Sequence, residues 1–104
     1  MEKAIVAGEA ALTVQTREAW PQDWASTQNT LTLAYRSRVR GERADNLEKA
    51  IAAGEAALTV FTRAAFPQDW AGTENGLAID YRDHVRGGRA ANLQKARSVV
   101  AAAP

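Results

Sequence analysis

The sequence predicts an all-α fold: a solenoid-like stack of two helical hairpins followed by a C-terminal capping helix. Three observations carry this. The chain repeats itself with a period of 46 residues, 31 of the 46 paired positions being identical between residues 1–46 and 47–92. Within each copy the apolar residues recur at steps of three and four, the spacing of one helix face. Pro21, Pro67 and the glycines Gly41, Gly87 and Gly88 fall at the junctions between those runs, where helices stop. No alternating strand pattern competes. The expected organisation is a single domain over 1–104, with repeat 1 at 1–46, repeat 2 at 47–92 and a partial third repeat, the cap, at 93–104.

The first helix of each repeat carries Ile5, Leu12 and Ala19, with Gly8 and Gln15 between them, matched by Ile51, Leu58 and Ala65 with Gly54 and Phe61 between. The pattern extends over about 18 residues. Its stop is expected at Trp20-Pro21 and Phe66-Pro67, since the residue before proline is driven out of the helical region. The proline suits the first position of the next helix, with Asp23 or Asp69 in the first turn facing the positive end of the dipole. That second helix carries Trp24, Thr27, Leu31, Tyr35 and Val39, matched by Trp70, Thr73, Leu77, Tyr81 and Val85. It is expected to end in a glycine loop, Arg40-Gly41-Glu42-Arg43 or Arg86-Gly87-Gly88-Arg89, with Asn46 and Asn92 capping the helices that follow. Five helices result, the last from about residue 91 to 103. Stacked hairpins share a core that neither forms alone. Gly8 and Gly54 fall inside helices, where each costs roughly 0.5–1 kcal/mol against alanine. Close approach of a neighbouring helix, or room for a partner's side chain, is the reason to keep them.

Composition narrows function by exclusion. The chain has 104 residues, 46% hydrophobic and 24% charged, as one soluble globular domain has. Its net charge of +1 gives no field for a polyanion. The absence of cysteine removes disulfides, thiolate metal sites and thiol nucleophiles together. No apolar run reaches the roughly 18 residues of a membrane helix, and the N-terminus lacks a secretory-signal layout. A cytoplasmic protein is the expectation. Neither a phosphate loop, nor a His-x-x-x-His pair, nor a nucleophile elbow occurs. His84, the single histidine, stands where repeat 1 has Arg38 and reads as a surface residue. No catalytic residue, cofactor or metal ligand is therefore expected. Seven of the ten arginines lie at second-helix ends and the loops after them (Arg36, Arg38, Arg40, Arg43, Arg82, Arg86, Arg89). Their place near the negative end of the helix dipole, and the nearby Glu42, Asp45, Asp80 and Asp83, weigh against a nucleic-acid ridge.

Leu31, Tyr35, Ala50 and Ala57, continued by Leu77, Tyr81 and Ala96, resemble the tetratricopeptide repeat signature. The longer period and the strings Asn46-Leu47-Glu48-Lys49-Ala50-Ile51 and Phe66-Pro67-Gln68-Asp69-Trp70-Ala71 are similar to the extended repeats of kinesin light chains. They are similar also to cyanobacterial arrays that precede a caspase-like CHAT domain. Departures are Gly8 and Gly54, where the family keeps an aromatic residue, and Thr32 and Ala78, where it keeps glycine. The resemblance implies a concave face lined by second-helix residues. Asn29, Leu33 and Arg36 map there from repeat 1, and Asn75, Ile79 and Arg82 from repeat 2. On such a face asparagine pairs with backbone amides, arginine grips a carboxylate, and Leu33 and Ile79 give apolar contact. The implied function is a non-catalytic scaffold for a peptide or protein segment. Trp20, at the inter-helix turn, is a further candidate anchor, since tryptophan is enriched at binding hot spots. The second expectation is self-assembly, by stacking of end faces or exchange of a helix, because faces built from one repeat complement each other.

Overall fold

The computed structural model describes residues 2–38 and 41–88 in full and the backbone of 89–102. Its helices are α1 (Glu2–Leu12), α2 (Pro21–Arg36), α3 (Arg43–Leu58) and α4 (Pro67–Ala102), with no strand among the described residues. The chain spans 62 × 29 × 19 Å. Its radius of gyration is 16.9 Å, above the ~13 Å of a 100-residue globule.

The helices of each repeat lie antiparallel. Glu2 pairs with Arg38 and Glu9 with the Tyr35 hydroxyl, low residues against high. The same pairs recur 46 residues on as Glu48 with His84 and Glu55 with Tyr81. Leu31 packs on Gly8 and Leu77 on Gly54, in both cases so closely that a Cβ on the glycine would fall within 3.0 Å of leucine Cγ. The mid-helix glycines are thus explained by helix approach. Leu47, Ala50, Ala53 and Ala57 bury the α3 face, and Phe61 sits under Ala25 and Ala57 at the seam between repeats. Phe61 and Phe66 meet edge to face at 5.4 Å. Repeat 1 has Gln15 in place of Phe61, and its Oε1 accepts a bond from the Thr27 hydroxyl instead.

Three expectations are corrected. The first helices stop at Leu12 and Leu58, short of the proline. Threonine hydroxyls take over the backbone there: Thr13 and Thr59 donate to Ala10 and Ala56 carbonyls, and Thr16 and Thr62 accept from Ala19 and Ala65 amides. Asn46 is not a cap; Glu42 precedes α3, and Asn46 is buried within the helix. The separate capping helix at 93–104 and the glycine loop before it are absent, for α4 continues without interruption to Ala102. Gly41 turns the chain with φ +84°, whereas Gly87 and Gly88 keep negative φ inside a helix. The neighbours explain the difference. Glu42 and Asp45, which start α3, are replaced by Gly88 and Ala91, so the next helix loses its start signals while alanines favour continuation. Asn92 lies inside this continuous helix; its side chain, like those of Val39 and Arg40, lies outside the described residues.

The paired tyrosines give a pH signature. Burial first, then the bond to Glu9, holds the Tyr35 phenol above its ordinary 10.0. For Tyr81 the bond to Glu55 comes first and burial second. In both the folded state favours the neutral phenol. This contribution is therefore complete below pH 10 and is lost as pH rises through the folded-state values. Denaturant midpoints are expected to fall above pH 10, and Tyr35→Phe to flatten that fall more than Tyr81→Phe, whose site is more open. An equal fall in both variants would rule the assignment out.

Candidate docking groove between α2 and α4

α2 and α4 run side by side in the same direction. Thr73 donates to Asn29 Oδ1 at 3.0 Å and Arg36 Nε to Asp80 Oδ1 at 2.5 Å, both across 44 residues of sequence. Between the two helices lies a groove of about 400 Å³. Five of the residues expected on a concave face line it: Asn29, Leu33, Arg36, Asn75 and Ile79. Thr32, Gly72, Thr73 and Gly76 complete it. Leu33 and Ile79 stand 56% and 37% exposed, one repeat apart on one face. The sixth residue, Arg82, is not part of the lining; its exposed guanidinium lies 3.5 Å from the adjacent Asp83. Trp20 is 54% exposed at the start of α2 and borders a shallow depression of about 230 Å³ with Ala19, Pro21, Gln22 and Asp23.

The structure gives Arg36 a task the sequence did not disclose. Its guanidinium is bound by both oxygens of Asp80, at 2.5 and 3.5 Å, and donates from Nη2 to the Gly76 carbonyl at 3.2 Å. Asp80 is fully buried. Two differences between the repeats make this possible. Asp80 replaces Ala34, and Gly76 replaces Thr30; a Cβ at position 76 would come within 2.8 Å of Arg36 Nη2. The signal available in the sequence was a carboxylate at a position that is alanine, and buried, in repeat 1. The wall of the groove is therefore fixed by an ion pair that spans the repeats. Asn29 is likewise engaged, by Thr73, while Asn75 is exposed.

Other arginines of the second-helix ends are also matched by carboxylates. Arg38 pairs with Glu2 at 2.7 Å, and Arg43 with Asp83 at 3.7 Å. His84 stands 3.2 Å from Glu48, in the place Arg38 holds against Glu2. No group of histidine, aspartate and glutamate among the described residues is placed to hold a metal ion. No helix among them is long and apolar enough to cross a membrane. Comparison with known proteins finds no matching family model, no matching curated protein and no matching solved structure.

Proposed function

We propose that this chain is a non-catalytic docking scaffold, two hairpins of a tetratricopeptide-type solenoid that take a peptide or protein segment along the α2–α4 groove. The observation that carries the reading is the convergence of exposed Leu33 and Ile79 with Asn75 on one preformed groove. The division of labour differs from a simple asparagine–arginine ladder. Arg36 and Asn29 are committed to Asp80 and Thr73, and hold the two walls in register. Ligand contact then falls to the two aliphatic side chains, with the Asn75 amide available to an extended backbone and the exposed Arg82 beyond the groove for an acidic flank. A shallow, largely apolar channel with few fixed polar groups suits a segment bearing two apolar anchors.

The test is a peptide-display selection against the 104-residue chain, followed by affinity measurement on Leu33→Asp and Ile79→Asp. Both positions are exposed, so helicity should persist. Each aspartate is expected to weaken the selected peptides by at least ~tenfold, the effect of about 1.4 kcal/mol. Peptides that bind both variants as well as the parent chain would place their site elsewhere and end the groove reading.

A further inference from the structure

Asn75-Gly76 is the one asparagine–glycine step in the chain; Asn29, Asn46 and Asn92 are followed by Thr30, Leu47 and Leu93. The structure gives the reason for the glycine. A Cβ at position 76 would come within 2.8 Å of Arg36 Nη2, the atom that donates to the Gly76 carbonyl. The same glycine changes the chemistry of its neighbour. An asparagine carboxamide can be attacked by the backbone nitrogen that follows it; a side chain on the following residue crowds that nitrogen, and glycine has none. The Asn75 side chain is exposed, and the helix around it is weak: Gly72, Thr73, Asn75 and Gly76 are all poor helix formers. Bonds from α2 hold this stretch. Thr73 Oγ1 meets Asn29 Oδ1 at 3.0 Å, Arg36 Nη2 the Gly76 carbonyl at 3.2 Å, and Arg36 Nε, one turn further on, Asp80 Oδ1 at 2.5 Å.

We propose that Asn75 is a site of spontaneous deamidation, gated by the ties from α2 to residues 73–80. In the reaction the Gly76 backbone nitrogen loses its proton to hydroxide and attacks Asn75 Cγ. A C–N bond forms, and the side-chain nitrogen takes a proton from water and leaves as ammonia. Water then opens the cyclic imide. Breaking the bond from the Gly76 nitrogen to Cγ gives aspartate; breaking its bond to the main-chain carbonyl carbon of residue 75 gives isoaspartate. No oxidant or reductant takes part. A helix forbids the attack, because the Gly76 N–H is occupied by the carbonyl four residues back. The imide therefore forms from molecules in which residues 72–76 have left the helix, and the free energy of such a local opening is set by what holds the segment. Here Asn29 and Arg36 hold it. Arg36 thus acts on Asn75 in two opposed ways: it requires the glycine that makes the asparagine reactive, and it pins the helix that keeps it inert. The product alters the groove that Asn75 lines. Either acid sets a carboxylate one helical turn from Ile79, and isoaspartate also adds a methylene to the backbone of α4. The reaction itself does not depend on what the groove binds.

The test follows Asn75 in the full chain held at neutral pH, by mass spectrometry of the tryptic fragment 64–82, in which it is the only asparagine. In urea, with the helix gone, Asn75 should convert at least ~tenfold faster than Asn29, whose β-branched successor Thr30 crowds the nitrogen. Under native conditions Arg36→Ala should convert Asn75 at least ~tenfold faster than the parent chain does. Thr73→Val removes the other tie without stranding a charge and should accelerate the reaction by a smaller factor, which decides the matter if Arg36→Ala does not fold. Ile5→Ala opens a cavity under α1, away from α4, and should leave the rate at Asn75 unchanged, so that local release is separated from general destabilisation. No excess of Asn75 over Asn29 in urea would overturn the site. Equal rates for the parent chain folded and in urea would overturn the gate. So would a folded Arg36→Ala or a Thr73→Val variant that matches the parent, or acceleration by Ile5→Ala as large as that by Arg36→Ala.

Discussion

Arg36→Ala is expected to lower the unfolding free energy by about 3 kcal/mol, the low end of the range for removing one partner of a buried ion pair. The reason is what remains. Asp80 is fully buried, and among the described residues its two oxygens are held by Arg36. Without the guanidinium a carboxylate stays desolvated between two helices. Asp80→Ala should be milder, because it restores the residue repeat 1 carries at Ala34 and leaves an arginine whose side chain is already 18% exposed and can turn to water. The double variant Arg36→Ala/Asp80→Ala should therefore be more stable than Arg36→Ala alone. Urea unfolding of the four proteins measures the coupling, expected at about 2 kcal/mol. A double variant no more stable than Arg36→Ala would show that the pair is not the reason for the loss. Gly76→Ala is a side test, since its Cβ displaces Nη2 without removing either charge.

The result bears on the groove as well as on stability. Asn29–Thr73, Arg36–Asp80 and the Arg36 bond to the Gly76 carbonyl tie α2 to α4, and the groove is the space between those helices. A variant that frees α4 from α2 changes the width of the site before any ligand arrives. In Arg36→Ala, loss of peptide binding would follow from a shifted wall, whereas in Leu33→Asp it would follow from a lost contact. The two are separated by near-constant stability in the second.

The sequence carried the hairpins because a near-identical repeat doubles every helical signal and leaves few places for the chain to turn. The groove lining came instead from the tetratricopeptide resemblance, which implies one face for Asn29, Leu33 and Arg36 and their counterparts; all but Arg82 line the same cleft. What the sequence did not carry are interactions between repeats. The partner of Arg36 is set by the stacking of α2 on α4, which no spacing within one helix reveals. The fate of the Arg-Gly junctions was hidden for a different reason. Glycine permits a left-handed turn and a helix alike, so the outcome rests on Glu42 and Asp45 against Gly88 and Ala91, residues that signal a helix start only weakly. The early end of α1 belongs with these cases, since the apolar period ran on past Leu12 while threonine hydroxyls captured the backbone.

Gly8→Ala combined with Gly54→Ala is expected to destabilise the chain by about 2 kcal/mol, although alanine is the better helix former at both sites. Propensity alone would stabilise each helix by roughly 0.5–1 kcal/mol. Against this stands the space. A Cβ at position 8 would lie 2.7 Å from Leu31 Cδ2 and 2.9 Å from Cγ; at position 54 it would lie 2.8 and 3.0 Å from the same atoms of Leu77. Moving a methyl group relieves a clash with Cδ2, but the Cγ contact requires the whole leucine or the helix to shift. Both leucines are buried, at 2% and 4% exposure, so neither has room to swing away. Overpacking of this kind costs typically 1–3 kcal/mol per site, and it outweighs the propensity gain. The two sites use different leucines in different hairpins, so their effects should add. Pairing Gly54→Ala with Leu77→Val, which removes one methylene and retracts the branch, should recover part of the loss in that hairpin and none in the other. Thermal unfolding of the single, double and compensated variants decides the matter. A double variant as stable as the parent chain would show that the helices can move apart freely, and the glycines would then need a reason other than packing.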